Sequence, residues 1–466
     1  MKKLAFNPYL PSYEYIPDGE PHVFGNRLYL FGSHDRFGGK DYCLNDYVCW
    51  SAPVDDLADW RYEGVIYRKD QHPRGDGSVP FYAPDVACGL DGNYYLYYSV
   101  KDSSIISVAI CDTPAGKYEY YGDVKSPEGH VYGTDLSDWY EFDPAVLVDD
   151  GRVWLYSGTG QASTERQGHP VVGAFVRELE ADMLTSKSEP SIIMPRVKRP
   201  LTKPAFFEGS SVRKIGDTYY FVYPATDLTG LNYCTSKYPD RNFVYRGIIH
   251  STSDMRLNGH SLFNPAYPLG NNHGGIVCVK EQYYIFDHRM TNRTLYARQG
   301  VAEPITINED GTINQVESTS CGLNGGTLPW KGKYPAYIAC NLMPGKILGL
   351  RNPLNGPYMT QEGEDREDNP NQYVKSITSG SLVGFKYFQF DGLNKKLSVT
   401  LRGRAKGILR VLTGEKGQGV AEVKVNIESA FWKEYHVSMK ALQGKHAIFF
   451  TFKGKGTLDM ESFEMS

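Results

Sequence analysis

Four acidic residues and one histidine recur at equivalent places along this chain. They are Asp18 in Ile16-Pro17-Asp18-Gly19-Glu20, Asp85 in Ala83-Pro84-Asp85-Val86, Asp143 in Phe142-Asp143-Pro144, Glu208 in Phe206-Phe207-Glu208-Gly209-Ser210, and His273 in Asn271-Asn272-His273-Gly274. Carboxyl groups brought to one pocket suit cleavage of a glycosidic bond, in which a carboxylic acid protonates the leaving oxygen while a carboxylate activates water or attacks. Local surroundings assign the roles. Glu208 follows two phenylalanines, and an apolar setting disfavours its charged form, raises its pKa and suits a general acid. Asp18 lies in a turn-rich stretch that leaves its carboxylate room for a water, as a general base requires. Asp143 is then a third charge that keeps Glu208 protonated and aimed.

Each of the five residues stands about 11 residues ahead of an aromatic-rich strand pattern. Those strands are Leu28-Tyr29-Leu30-Phe31, Tyr94-Tyr95-Leu96-Tyr97, Val153-Trp154-Leu155-Tyr156, Tyr219-Tyr220-Phe221-Val222 and Tyr283-Tyr284-Ile285-Phe286, and four of them follow a turn built on glycine. A strand-and-turn unit recurring at intervals of about 60 to 66 residues indicates a propeller. Five blades follow, and the first strand of each lines the axis, so equivalent positions converge there. A single Asp ahead of a strand is ordinarily a turn or cap residue; five polar residues in register are what turns these into a constellation. For Asp85 the alternative is a structural tie between blades, made by accepting backbone hydrogen bonds. The opening Phe6-Asn7-Pro8 segment is placed to pair with the last blade, closing the ring and removing exposed strand edges.

Beyond Asn324-Gly325-Gly326 the pattern changes. A charged loop, Gln361 to Pro370, precedes alternating segments at Gly384–Phe390, Lys396–Leu401, Gly407–Leu412, Glu422–Ile427 and Ala447–Phe452. Period-two alternation with frequent turns predicts a jelly-roll β-sandwich. The expected organisation is an all-β chain: a five-bladed β-propeller over residues 1–325 and a β-sandwich over 326–466, with no long helix.

Composition narrows the partners. The 466 residues include 35 Tyr and 48 Gly, as an all-β protein with tight turns requires, and the formal net charge of −4 gives no electrostatic case for nucleic acid or an anionic membrane. The partner expected is a neutral oligosaccharide. The N-terminus lacks the apolar run of a secretory signal and no segment is long and apolar enough to span a bilayer, which predicts a cytoplasmic protein. The eight cysteines show no metal or CxxC spacing, so reduced thiols are expected. Oligomeric state is not readable.

The blocks Pro17-Asp18-Gly19-Glu20-Pro21, Tyr82-Ala83-Pro84-Asp85-Val86, Phe142-Asp143-Pro144 and Phe207-Glu208-Gly209-Ser210 resemble those of glycoside hydrolase family 43. The resemblance implies a general base at Asp18, a pKa-modulating acid at Asp143, a general acid at Glu208 and an inverting mechanism. It also implies an axial calcium ion facing His273, mostly through water, and a sugar-binding arginine at Arg289. Where that family often has Trp before Ala-Pro-Asp this chain has Tyr82, which bears on sugar stacking. Phe81 and Trp50 are further stacking candidates, with core packing as their default. The Arg-Asp-Pro and Glu-Cys motifs of the invertases and fructan hydrolases are not matched by Phe142-Asp143-Pro144 and Glu208-Gly209. The second domain resembles carbohydrate-binding module family 6, through Ser379 to Tyr387 and Gly456 to Phe463, and Glu362, Glu364 and Asp459 offer oxygen ligands for a structural calcium. Together these lead to an exo-acting enzyme releasing terminal α-L-arabinofuranose or β-D-xylose from short hemicellulose oligosaccharides. A β-galactofuranosidase or exo-β-1,3-galactanase on the same scaffold is the alternative. A non-catalytic carbohydrate-binding propeller would need a lost acid or base, and both are present.

Overall fold

The computed structural model describes residues 4–161, 163–197, 204–347, 350–351, 356–393 and 395–466. Five antiparallel sheets follow one another along the first 305 residues. Blade one is Glu20–Phe24, Arg27–Phe31, Tyr47–Pro53 and Arg61–Tyr67. Blades two to four are built the same way, each opening on a short strand: Phe81–Cys88, Ala145–Asp149 and Ser211–Ile215. Blade five has three described strands, Ile276–Val279, Gln282–Met290 and Arg298–Ile305.

What forces these sheets into a ring is that both of their faces are apolar. Leu28, Leu30 and Trp50 of blade one pack with Val277, Val279 and Phe286 of blade five. Phe31, Tyr47 and Tyr67 of blade one pack with Val86, Leu96 and Tyr98 of blade two. Equivalent clusters lie between blades two and three, three and four, and four and five. Each sheet therefore buries one face on its predecessor and the other on its successor, which a ring alone satisfies for every sheet.

Closure at the seam is made by a side chain. The amide of Asn7 donates to Ala302 O at 2.9 Å and accepts from Ala302 N at 2.9 Å, while its backbone N–H donates to Ser320 O at 3.2 Å. The predicted pairing of the N-terminal segment with the last blade is thus carried by an asparagine imitating a strand edge.

The C-terminal region is a β-sandwich. Nine strands form one hydrogen-bonded set folded over a core that includes Phe385, Phe388, Phe450 and Phe463. In Gly419–Met439, Val423, Val425 and Ile427 are buried while Lys424, Asn426 and Glu428 between them are exposed, the alternation a pleated strand imposes. Lys396–Leu401 and Gly407–Leu412, predicted as separate strands, are one 18-residue strand whose register shifts between Leu401 and Gly403. Two of the three proposed calcium ligands are otherwise engaged, since Arg402 bridges Glu362 and Asp459.

The sandwich is bound to the propeller by specific polar contacts. Lys386 Nζ lies 2.7 Å from Asp254 Oδ2, both buried, and Leu342 N donates to Ala266 O at 2.8 Å.

Candidate active site

A pocket of about 220 Å³ opens where the inner strands begin, and Asp18, Asp143, Glu208 and His273 all line it. Its remaining wall includes Tyr42, Cys43, Tyr82, Phe142, Arg166 and Arg298. The backbone that presents the acids is unusual. Asp18 and Asp143 have φ of 56° and 46°, left-handed conformations that aim each side chain out of the strand direction and into the pocket. Asp143 N–H is held by Ser99 Oγ at 3.0 Å, and Asp18 N–H donates to His288 Nδ1 at 3.1 Å. Glu208 is followed by Gly209 at φ 68°, where a Cβ would stand 3.1 Å from the His273 ring and from Pro224. Only glycine lets the acid and the histidine approach in this way.

The three carboxyl groups sit in different fields. Burial pushes Asp18 up, but the Arg298 guanidinium, with His288 and His273, outweighs it and holds the group below the usual aspartate range. Arg298 NH1 lies 3.0 Å from Asp18 Oδ1. Burial raises Glu208 to about 7, Arg166 opposing and the Asp18 charge adding to the rise. Asp143 is raised as well, by burial and then by the charges of Glu208 and Asp18. Glu208 and Asp143 therefore titrate as one unit that retains a proton into the neutral range while Asp18 is ionised. One ionised and one protonated carboxyl group facing a common cavity is the apparatus for acid- and base-assisted glycoside cleavage.

Tyr82 is where the sequence placed it, half-buried on the pocket wall with its ring 6.0 Å from that of Phe142. Four other substrate-binding assignments are corrected, and for Trp50, Phe81 and Asp85 the structural reading given beside them holds. Arg289 faces away from the pocket and donates to the carbonyls of Ala339 at 3.0 Å and Tyr337 at 2.6 Å, stapling the sandwich to blade five. Trp50 is buried among Tyr13 and Tyr62 with its indole N–H on Glu14, and Phe81 is buried against Tyr47, Tyr67 and Tyr98. Asp85 is fully buried and ties three blades, accepting from His22 Nε2 at 2.7 Å, Val86 N at 2.8 Å and Val146 N at 2.8 Å. Each of the four lies on an inter-blade or interdomain contact, where an aromatic ring or fixed charge contributes packing.

Two functional groups escape the sequence pattern. Arg298, nine-tenths or more buried, holds Asp35 through Nε at 2.8 Å and NH2 at 2.9 Å while reaching Asp18 with NH1. Arg166 stacks over Phe142 at 4.3 Å and sits 3.7 Å from Glu208 Oε2, on a two-stranded hairpin inserted in blade three. The only sequence signal for Arg298 is its position at the head of a blade-five strand; for Arg166 there is none.

The axis beneath the pocket carries Glu20, His22 and Asp85, whose ligand atoms lie within 4.8 Å of one another. Arg213 already occupies the cation position there, 2.8 Å from Glu20 Oε2 and 3.3 Å from His22 Nε2. Towards the pocket the setting differs. Glu20 Oε1 and His273 Nε2 face each other across 3.8 Å, both buried and neither with a hydrogen-bond partner among the described residues. That pair fits a hydrated cation; the cluster around Arg213 does not.

The sequence profile of glycosyl hydrolases family 43 matches residues 16–313, which contain every acid of the pocket. The chain belongs to that family. A xylosidase/arabinosidase of Thermoclostridium stercorarium is 45% identical over 479 residues, spanning 100% of this chain and 99% of its own length. Among solved structures, a family 43 β-xylosidase/α-arabinofuranosidase from a compost microbial metagenome, in complex with xylotriose and in a calcium-free form, is 25% identical with a TM-score of 0.54, covering 68% of this chain and 98% of that one. A family 43 arabinoxylan arabinofuranohydrolase from Bacillus subtilis, in complex with cellotetraose, aligns over 97% of this chain and 96% of its own at 21% identity and a TM-score of 0.51, a likeness of fold that includes the sandwich. As a family 43 member the chain is a glycoside hydrolase, and its Asp18, Asp143 and Glu208 are the acids around which the pocket is built.

Proposed function

We propose that the protein is an inverting, exo-acting glycosidase that removes terminal α-L-arabinofuranosyl or β-D-xylosyl residues from short oligosaccharides. The observation that carries this reading is the convergence of Asp18, Asp143 and Glu208 on one small pocket, with the Arg298 guanidinium 3.0 Å from Asp18 lowering that group and burial raising Glu208 to about 7. Support for the sugar comes from the xylosidase/arabinosidase name of the relative aligned over this whole chain. Asp18 takes a proton from a water on one face of the anomeric carbon while Glu208 delivers its own to the departing oxygen. Asp143 shares the proton of the pair and keeps it available to Glu208. Tyr82 and Phe142 offer apolar faces to the ring.

The experiment is hydrolysis of nitrophenyl α-L-arabinofuranoside and β-D-xyloside with the product anomer followed by NMR. Inversion is expected, and retention would remove Asp18 from the base role. Asp18→Asn is expected to reduce kcat by about 10²- to 10⁴-fold while leaving the thermal unfolding cooperative.

A calcium ion belongs to the same proposal, with His273 and Glu20 as the residues that would face its water shell, supported by the two atoms left unpartnered there among the described residues. Such an ion would supply positive charge below the sugar site and hold the imidazole in place. Metal depletion is expected to lower both the melting temperature and the activity, and calcium to restore both.

A further inference from the structure

The charged loop singled out in the sequence joins Tyr358–Glu362 to Asn371–Ile377 in the sandwich, yet it packs on the propeller. Asp365 accepts two hydrogen bonds from blade one, Oδ1 from Phe37 N at 2.7 Å and Oδ2 from Asn45 Nδ2 at 3.0 Å. Its neighbour Arg366 pairs with buried Glu14 and places NH1 2.9 Å from His34 Nε2. Tyr15 OH donates to Gln361 Oε1 at 2.5 Å. A hairpin of one domain thus grips both ends of the loop between the second and third strands of blade one.

That loop is the pocket wall. It carries Tyr42 and Cys43, which line the cavity, and Asp35, which grips Arg298. Asn45, held by Asp365, donates through the same Nδ2 to Asp35 O at 3.0 Å, and the Asp35 carboxylate also accepts from Cys43 N at 3.1 Å. An unbroken series of hydrogen bonds therefore runs from the sandwich to the catalytic base: Asp365, Asn45, Asp35, Arg298, Asp18.

We propose that Asp365 is a positioning residue for the family 43 reaction, and that the sandwich is a working part of the catalytic unit. The inference rests on Asp18 being the base. Cutting the series at Asp365 leaves the loop its own bonds, among them Asn45 N to His34 O at 3.0 Å, so the loop shifts and the pocket survives. Displacements of about 1 Å at a reacting geometry cost up to about 10²-fold, and a partial shift is expected to cost about tenfold in kcat/KM. As Arg298 drifts from Asp18, the base becomes easier to protonate and the acidic limb of the kcat/KM profile moves to higher pH.

The test compares full-length Asp365→Ala, Asp365→Asn and Glu362→Gln with the parent on nitrophenyl glycosides across pH. Glu362 lies at the base of the same hairpin but pairs with Arg402 inside the sandwich. Asp365→Ala is expected to lose about tenfold in kcat/KM and to move the acidic limb upward. Asp365→Asn keeps one acceptor oxygen and falls between, and it carries the test if the alanine variant does not fold. Glu362→Gln is expected to lower the melting temperature with the acidic limb unmoved. An unchanged limb and kcat/KM in both Asp365 variants overturns the proposal, as does an equal shift in Glu362→Gln. A parent enzyme inactive on every glycoside overturns the glycosidase reading instead.

Discussion

Arg298 shares one guanidinium between two carboxylates, NH1 on Asp18 at 3.0 Å and Nε with NH2 on Asp35 at 2.8 and 2.9 Å. A fork of donors is what makes this division feasible, since a lysine ammonium presents a single point charge. Asp18 is thereby held below the usual aspartate range in a place where burial alone would raise it.

Replacing Arg298 by Met leaves two buried carboxylates without a counter-charge. The acidic limb of kcat/KM is expected to rise as Asp18 becomes easier to protonate, and the fold to lose about 3 to 5 kcal/mol. Because Asp18 is depressed in the folded state, its contribution to stability is present above its ordinary value of 3.8 and disappears as pH falls through the lowered one. Arg298→Met removes that acid sensitivity. Urea titrations at several pH values, read beside the rate profile, check both effects.

The basic limb of the rate profile belongs to the Glu208 and Asp143 pair and is expected near pH 7, where Glu208 gives up its proton. Arg166, 3.7 Å from Glu208, favours the charged form. Arg166→Met is therefore expected to move the basic limb to higher pH, and a limb that stays in place or moves down would separate Arg166 from the acid.

Arg289→Met distinguishes a sugar ligand from a staple. Two carbonyls of the sandwich lose their donor, and a stability loss of about 1 to 3 kcal/mol is expected with KM unchanged. A raised KM with full stability would return Arg289 to the substrate.

Repeats and acids were legible in the sequence because they are local: Asp18, Asp143, Glu208 and His273 each announce themselves beside a strand of fixed pattern. Partners across the chain were not. Arg298 meets Asp18 across 280 positions and Asp365 meets Phe37 across 328, and no periodicity encodes such pairings. Arg289 misled because its neighbours Asp287 and His288 do serve the site, Asp287 holding Asn272 at 3.0 Å and His288 accepting from Asp18 N–H, whereas its own guanidinium is taken by the carbonyls of Ala339 and Tyr337, 50 and 48 positions away in sequence. Trp50 and Phe81 are core, the default for aromatics in so aromatic a chain, and the blades packed against them are what cover them: blade five for Trp50 and the facing sheets of blades one and two for Phe81.

The left-handed backbone at Asp18, Asp143 and the pocket-lining Cys43 sets robustness against turnover. An L-residue held at positive φ works against folding, and crowding acids in one dry cavity adds to it. Aspartate and asparagine both tolerate that backbone region, but asparagine adds no ionisable group to the dry cavity. Asn at position 143 would thus yield a chain more heat-resistant than its parent and a poorer catalyst. Selection for thermal endurance alone would act against the acids of this pocket.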